Sequence, residues 1–279
     1  MRFARIGHSG AERPAVVTSD GDAFDLTSLT TDIDGAFLRS DGPARIAEAL
    51  AAGTLPLVPP GQRFGPPVTG VGKIVCAGLN YADHAAESGQ TPPTEPVLFM
   101  KAPDTIVGPD DDVLIPRRSV KTDYEVELAV VIGQPARYLE SPADAAACIA
   151  GFAISNDVSE REFQLERGGQ WDKGKSCETF NPLGPWLVTP DEVSPADLGL
   201  RTWVNGEPRQ DGRTKDMIFD VYYLIWYVSQ FMVLRPGDIL NTGTPAGVGM
   251  GRGPGAYLKA GDEMVLEIDG LGRQNQHCR

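Results

Sequence analysis

The sequence predicts a mixed α+β protein, mainly β, whose strands roll into a barrel-like or sandwich-like core behind a small N-terminal domain. Three observations predict it. Gly (32) and Pro (23) are frequent among the 279 residues, which favours many turns and short strands over long helices. Short apolar runs bounded by turn residues recur along the chain. Few helical stretches lie between those runs, which argues against a doubly wound parallel sheet.

Residues 1–70 read as the N-terminal domain and its linker. Arg13-Pro-Ala-Val-Val-Thr and Ala23-Phe-Asp-Leu flank Ser19-Asp-Gly-Asp, a hairpin signal. Ile46 and Leu50, four apart and followed by Gly53, make Pro43–Ala52 a short helix. Pro56, Pro59, Pro60, Pro66 and Pro67 then stiffen a connector, and the boundary falls near Gly70. In residues 71–279 the strand candidates are Lys73–Gly78, Val97–Met100, Tyr124–Ile132, Gly151–Ser155, Trp186–Val188, Arg201–Val204, Asp238–Leu240 and Glu263–Ile268. Helices fit Tyr81–Ser88, Pro142–Ala150 and Met217–Met232. The tail from Arg273 to Arg279 carries no structural signal.

Hydrophobic residues at 41% and charged residues at 23% are ordinary globular usage, so a core can be buried. A net charge of −13 repels phosphate backbones and anionic membranes, which disfavours nucleic-acid and membrane partners. It leaves room for a small anionic substrate where a site supplies its own cations. The apolar stretch Met217–Leu234 is broken by Asp220, Ser229 and Gln230 and reads as a buried helix. Residues 1–10 show no apolar signal segment. Cys76, Cys148, Cys177 and Cys278 are scattered and read as free thiols, so a cytoplasmic protein is expected.

The most informative stretch is Tyr124-Glu-Val-Glu-Leu-Ala-Val-Val-Ile. In a strand Glu125 and Glu127 point the same way, and five apolar residues follow them. Two like charges beside a core repel and are costly to desolvate, a conflict that a bound cation resolves. A second apolar strand, Gly151-Phe-Ala-Ile-Ser-Asn, delivers Asp157 where it ends. Three carboxylates suit a hard cation, Mg²⁺ or alternatively Mn²⁺. Zinc fits less well, because only three histidines are present and His8 and His277 lie near the termini.

Asn80-Tyr-Ala-Asp-His-Ala-Ala-Glu-Ser-Gly reads as a short helix with Asn80 as N-cap and Gly89 just past its end. His84 and Glu87, three apart, share one face. A carboxylate on one imidazole nitrogen sets the tautomer and leaves the other nitrogen as a base; alone, the pair would read as a surface ion pair. The polar, Gly-containing segment Ser159–Ser176 follows Asp157 directly, and Lys175 is its candidate substrate cation. Pro236-Gly-Asp and Gly243-Thr-Pro-Ala-Gly-Val-Gly form a strand and glycine-rich turn whose amides and Thr244 hydroxyl could hold a carboxylate. The turn lacks the lysine of a P-loop, and no G-x-S-x-G elbow occurs.

Together these segments, from Lys73 to Gly272, resemble the fumarylacetoacetate hydrolase family. The resemblance rests on Asn80-Tyr-x-x-His84-x-x-Glu87, Asp123-Tyr-Glu125-Val-Glu127, Asn156-Asp157-Val-Ser, Gly174-Lys175-Ser, Pro182-Leu-Gly-Pro-Trp and Gly243-Thr244-Pro. It implies a mixed β-roll, usually in a homodimer, with residues 71–279 as the catalytic domain. It implies Glu125, Glu127 and Asp157 as ligands of Mg²⁺, His84 and Glu87 as a base dyad, and Lys175 and Thr244 at the substrate. Tyr81, Arg161 and Gln164 complete the candidate substrate-binding set. The segment Val158–Lys175 is similar to bacterial members that hydrolyse 2,4-diketo-3-deoxy sugar acids to pyruvate and a second acid. Oxaloacetate decarboxylation, isomerase or lyase chemistry of the ureidoglycolate type, and a non-catalytic ligand-binding role stay open as alternatives.

Overall fold

The computed structural model describes all 279 residues. Its centre is an 11-stranded sheet. The strands that position the site are β1 (Arg2–Ile6), β2 (Arg13–Val17), β3 (Ala23–Asp25), β4 (Ile74–Gly78), β5 (Val97–Lys101), β6 (Val126–Ile132), β7 (Ile149–Asn156), β8 (Asn181–Val188) and β11 (Ile239–Asn241). Along the sheet they run β3-β2-β1-β8-β7-β6-β11-β4-β5. A four-stranded sheet holds β9 (Gly199–Val204), β10 (Glu207–Arg213), β12 (Glu263–Ile268) and β13 (Gly272–His277) in the order β10-β9-β12-β13. Three helices matter here: α1 (Gly42–Ala51), α2 (Ala82–Glu87) and α3 (Val221–Ser229).

Every residue of β6 is buried, because both of its faces are covered. Val126, Leu128, Val130 and Ile132 pack towards the second sheet and α3, with Leu200, Leu266 and Ile225. Ala129 and Val131 pack on the other side with Phe3, Val16, Leu26 and Ile46. A strand buried on both faces reads as a continuous apolar run, which is why this segment stands out in the sequence. Glu125 and Glu127 share the face of Ala129 and Val131 by the two-residue period.

The N-terminal strands do not form a sheet of their own. β1 pairs antiparallel with β8 through Arg2↔Val188 and Phe3↔Leu187, so residues 1–70 extend the central sheet. The physical reason is that β8 would otherwise present an unpaired edge. The hairpin signal at Ser19–Asp22 does join β2 to β3.

Three of these strands, β1, β10 and β13, escape sequence reading, the last two for a plain physical reason. β10 and β13 bury amide side chains: Gln210, Gln274 and Gln276 are at most 2% exposed. Their inward faces are polar, so no apolar alternation marks them. The C-terminal tail is therefore ordered, with Gln276 accepting from Asn156 Nδ2 at 3.2 Å and Gln274 donating to the Ile154 and Gly184 carbonyls.

Candidate active site

The carboxylate triad is built by strand register. Asn156 of β7 pairs with Val126 of β6, so the next residue, Asp157, lies opposite Glu125 and donates its N–H to the Glu125 carbonyl at 2.9 Å. Carboxylate oxygens of Glu125, Glu127 and Asp157 all lie within 4.8 Å of one another, and all three residues are buried.

Cations hold two of the three. Lys175 Nζ bridges Glu125 Oε2 at 2.7 Å and Asp157 Oδ2 at 2.8 Å. Arg161 donates to Glu125 Oε1 at 2.6 Å and to Asp123 Oδ2 at 2.9 Å. Lys101, which nothing in the sequence singles out, donates to Asp157 Oδ1 at 2.5 Å. Burial opposes ionisation of Glu125, but Arg161 and Lys175 outweigh it and hold the carboxyl well below its ordinary range. Glu127 has no cation partner and accepts only from Gly243 N–H, at 2.7 Å. Burial, then the charges of Asp157 and Glu125, push its carboxyl well above its ordinary range. With Asp123 the cluster sets four carboxylates against three cations, and the uncompensated one faces the cavity. That donor set, all oxygen and short of positive charge, fits a hard divalent cation.

His84 sits on α2 with Nδ1 2.9 Å from Glu87 Oε1. Both Glu87 oxygens accept from Gly247 N–H at 3.0 Å, so the glycine-rich turn fixes the carboxylate that fixes the imidazole. α2 ends as the sequence predicts: Gly89 takes φ +69° and Gln90 N–H returns to the Ala85 carbonyl, a Schellman closure. Its start differs. The N-cap is Tyr81, and Asn80 instead clamps distant backbone, with Nδ2 donating to the Phe219 and Thr242 carbonyls and Oδ1 accepting from Phe219 N–H. Asn80 is buried and these long-range partners satisfy its amide better than a helix end would.

His84, Glu125, Glu127, Arg161, Gln164, Lys175 and Thr244 line one cavity of about 260 Å³. Asp157 lies against Lys175, and Glu87 stands behind His84. The Thr244 hydroxyl donates to the Val126 carbonyl at 2.9 Å and accepts from Gln210 Nε2 at 2.7 Å. Tyr81, expected at the substrate, does not line the cavity: it is fully buried, and its hydroxyl has no partner. Its extended backbone (φ −127°, ψ 130°) takes the side chain off the helical face that carries His84. The segment after Asp157 wraps the cavity through a π-helical turn, Glu162–Glu166, and brings in Leu165 and Trp171. Phe99 and Trp171 form an aromatic wall with ring centroids 5.4 Å apart. Asp123, quoted in the sequence motif without a role, anchors both Arg161 and the Gly249 and Met250 amides.

Fold and site define a class: enzymes in which a buried acidic triad and a histidine–glutamate pair share one cavity on a mixed β core. Residues 73–279 match the family model described as fumarylacetoacetate (FAA) hydrolase, C-terminal, and the chain belongs to that family. It is 49% identical over 278 residues to a 2,4-didehydro-3-deoxy-L-rhamnonate hydrolase of Sphingomonas sp. (strain SKA58), spanning 99% of this chain and 95% of the relative. Among solved structures it resembles the fumarylacetoacetate hydrolase of Exiguobacterium antarcticum, with TM-score 0.86 and 36% identity over 100% of this chain and 99% of that one. It also resembles maleylpyruvate hydrolase from Sphingobium sp. SYK-6, determined with manganese(II) and pyruvate, with TM-score 0.82 and 30% identity over 100% and 98% of the two chains. The chain is thus a hydrolase-type enzyme acting on a keto acid. No helix is long and apolar enough to cross a membrane.

Proposed function

We propose that this enzyme is a Mg²⁺-dependent hydrolase that cleaves the C3–C4 bond of a 2,4-diketo acid, with a 2,4-diketo-3-deoxy sugar acid as substrate. The products are pyruvate and a second acid. One observation carries the reading: a histidine whose Nδ1 is taken by Glu87 opens onto the same cavity as Glu125 and Glu127.

In this reading Glu125, Glu127 and Asp157 hold the cation, Mn²⁺ being an alternative occupant. When bound, it supplies Lewis-acid polarisation of the oxo acid and compensates its negative charge. His84, oriented by Glu87, takes a proton from water, and the oxygen adds to the C4 carbonyl. The C3–C4 bond then breaks, C4 leaves as the new carboxylate, and C3 takes up a proton to give pyruvate. Lys175 and Arg161 supply positive charge beside the developing enolate, while Gln164 and Thr244 shape the wall around it.

The test is pyruvate release from simple acylpyruvates, a 2,4-diketo-3-deoxy sugar acid and oxaloacetate, with Mg²⁺ and then with chelator. Metal-dependent pyruvate from a diketo acid, with an equimolar second acid, is expected. Pyruvate from oxaloacetate alone would replace hydrolysis by decarboxylation, and none from any substrate would turn the reading to isomerase or lyase chemistry.

A cytoplasmic homodimer belongs to the same proposal. In support, Tyr223, Tyr227 and Phe231 form an aromatic stripe along α3 and its exit, with Phe231 65% exposed. Sedimentation at equilibrium tests the dimer.

A further inference from the structure

Gln210 on β10 is buried, and its carboxamide is fully engaged. Nε2 donates to Thr244 Oγ1 at 2.7 Å and to the Pro245 carbonyl at 2.8 Å. Oε1 accepts from Val126 N–H at 3.1 Å and from Thr202 Oγ1 at 3.0 Å. Two of these partners are backbone groups of fixed polarity: a carbonyl only accepts, and an amide N–H only donates. They admit one orientation of the Gln210 amide, since the flipped one would set oxygen against oxygen and N–H against N–H.

That orientation fixes the Thr244 proton. Thr244 Oγ1 accepts from Gln210, and its own hydrogen goes to the Val126 carbonyl at 2.9 Å. A hydroxyl has one hydrogen and two lone pairs. The hydrogen and one lone pair are committed, so what this hydroxyl offers to the cavity that Thr244 lines is an acceptor. A carboxylate has no hydrogen to give. The partner of the Thr244 oxygen is therefore an O–H or N–H group, against the expectation from sequence that it holds a carboxylate.

A water held for attack needs such an acceptor. Glu87 takes His84 Nδ1, which leaves the other ring nitrogen to accept one hydrogen of the water. The second hydrogen needs an acceptor of its own. The wall cations Lys175 and Arg161 only donate, and Gln164 Oε1 already accepts from Arg161 at 3.1 Å. Thr244 stands on the same glycine-rich turn as Gly247, whose N–H holds Glu87. One turn thus carries the acceptor and the support of the base.

We infer that Gln210 is a positioning residue for the attacking water. By donating to Thr244 it presents that hydroxyl oxygen as the acceptor of the second water hydrogen, and the substrate carboxylate binds elsewhere on the wall. This inference rests on the hydrolase reading above. Gln210 acts from outside the cavity wall, through Thr244 alone.

Two variants test it. Thr244→Val removes the acceptor and leaves Gln210 its other partners. Gln210→Glu keeps an acceptor for Val126 and Thr202 but loses the donor to Thr244. Each variant, and the double, is measured for kcat and KM by pyruvate release with Mg²⁺, for pyruvate affinity by calorimetry with Mg²⁺, and for thermal midpoint. Each single variant should lose about tenfold in kcat, the weight of one hydrogen bond. KM and pyruvate affinity should stay within about twofold of the parent. The double should lose no more than the worse single, because both changes remove one arrangement. Pyruvate affinity falling in step with kcat in Thr244→Val would place the hydroxyl on the carboxylate and overturn the inference. Parental kcat in Thr244→Val, or in a folded Gln210→Glu, would overturn it too, as would losses that multiply in the double. If Gln210→Glu fails to fold, Thr244→Val still decides whether the hydroxyl serves the water or the carboxylate. No pyruvate from the unaltered enzyme would overturn the hydrolase reading and the water role with it.

Discussion

Lys101 Nζ lies 2.5 Å from Asp157 Oδ1, and neither side chain is exposed to solvent. The ammonium also donates to the Val158 carbonyl at 3.0 Å, so it ties the end of β7 to the end of β5. The pair is a strut under a proposed metal ligand. Replacing Lys101 by Met leaves Asp157 with Lys175 as its remaining cation partner. A loss of about 3–5 kcal/mol in unfolding free energy is expected. Urea denaturation in chelator measures it, and an unchanged midpoint would mean that the pair contributes no net stability.

His84→Ala should lower kcat on the order of 10²–10⁴-fold, the usual contribution of a positioned general base. Metal affinity should stay near the wild-type value, because His84 is not among the three carboxylates. Calorimetric titration with Mg²⁺ beside steady-state kinetics separates the two. Wild-type turnover in the variant would remove His84 from the mechanism.

Gly251→Ala probes the dyad from a distance. A Cβ at Gly251 would fall 2.4 Å from Glu87 Oε2, so the carboxylate must swing away from its contacts with His84 and Gly247. The expected result is a kcat lowered by about tenfold, with folding intact because the displaced atom ends a flexible side chain. An alanine variant as fast as the parent would show that Glu87 need not be held in place.

Chelator should abolish turnover, and Mg²⁺ or Mn²⁺ should restore it. Saturating cation should also raise the thermal midpoint, since a ligand at 100 times its Kd stabilises by about 2.7 kcal/mol. Glu127→Gln should lose both effects. A midpoint indifferent to the cation would speak against the triad as its site.

Cation binding should tighten as pH rises. Burial and the neighbouring Asp157 and Glu125 raise the Glu127 carboxyl in the metal-free protein, so it holds its proton to higher pH than a free glutamate. A cation must displace that proton, which weakens binding at low pH and releases protons on titration. Isotherms in buffers of different ionisation enthalpy, between about pH 5 and pH 8, give the number released. No proton release, with affinity flat in pH, would show that Glu127 is already ionised.

Much of the site is legible in sequence because its logic is local. Glu125 and Glu127 are related by the strand period, and His84 and Glu87 by the helix period. Asp157 comes at the end of an apolar run. Asn80 misleads for the same reason: beside a helix start it reads as a cap, while its actual partners, Phe219 and Thr242, are far away in the chain.

By itself the sequence put Glu125 and Glu127 on one strand face, His84 and Glu87 on one helix face, and the chain in a mainly β fold, since periodicity needs no distant partner. Tertiary structure alone decided that Lys101 props Asp157, that Gly247 holds Glu87, and that Tyr81 stands off the cavity. It also decided that polar β10 and β13 are strands and that β1 extends the central sheet. The reason is strand register: which residues meet across a sheet depends on pairings between segments far apart in the chain. An inward-facing glutamine or lysine carries no apolar signal until its partner is in place.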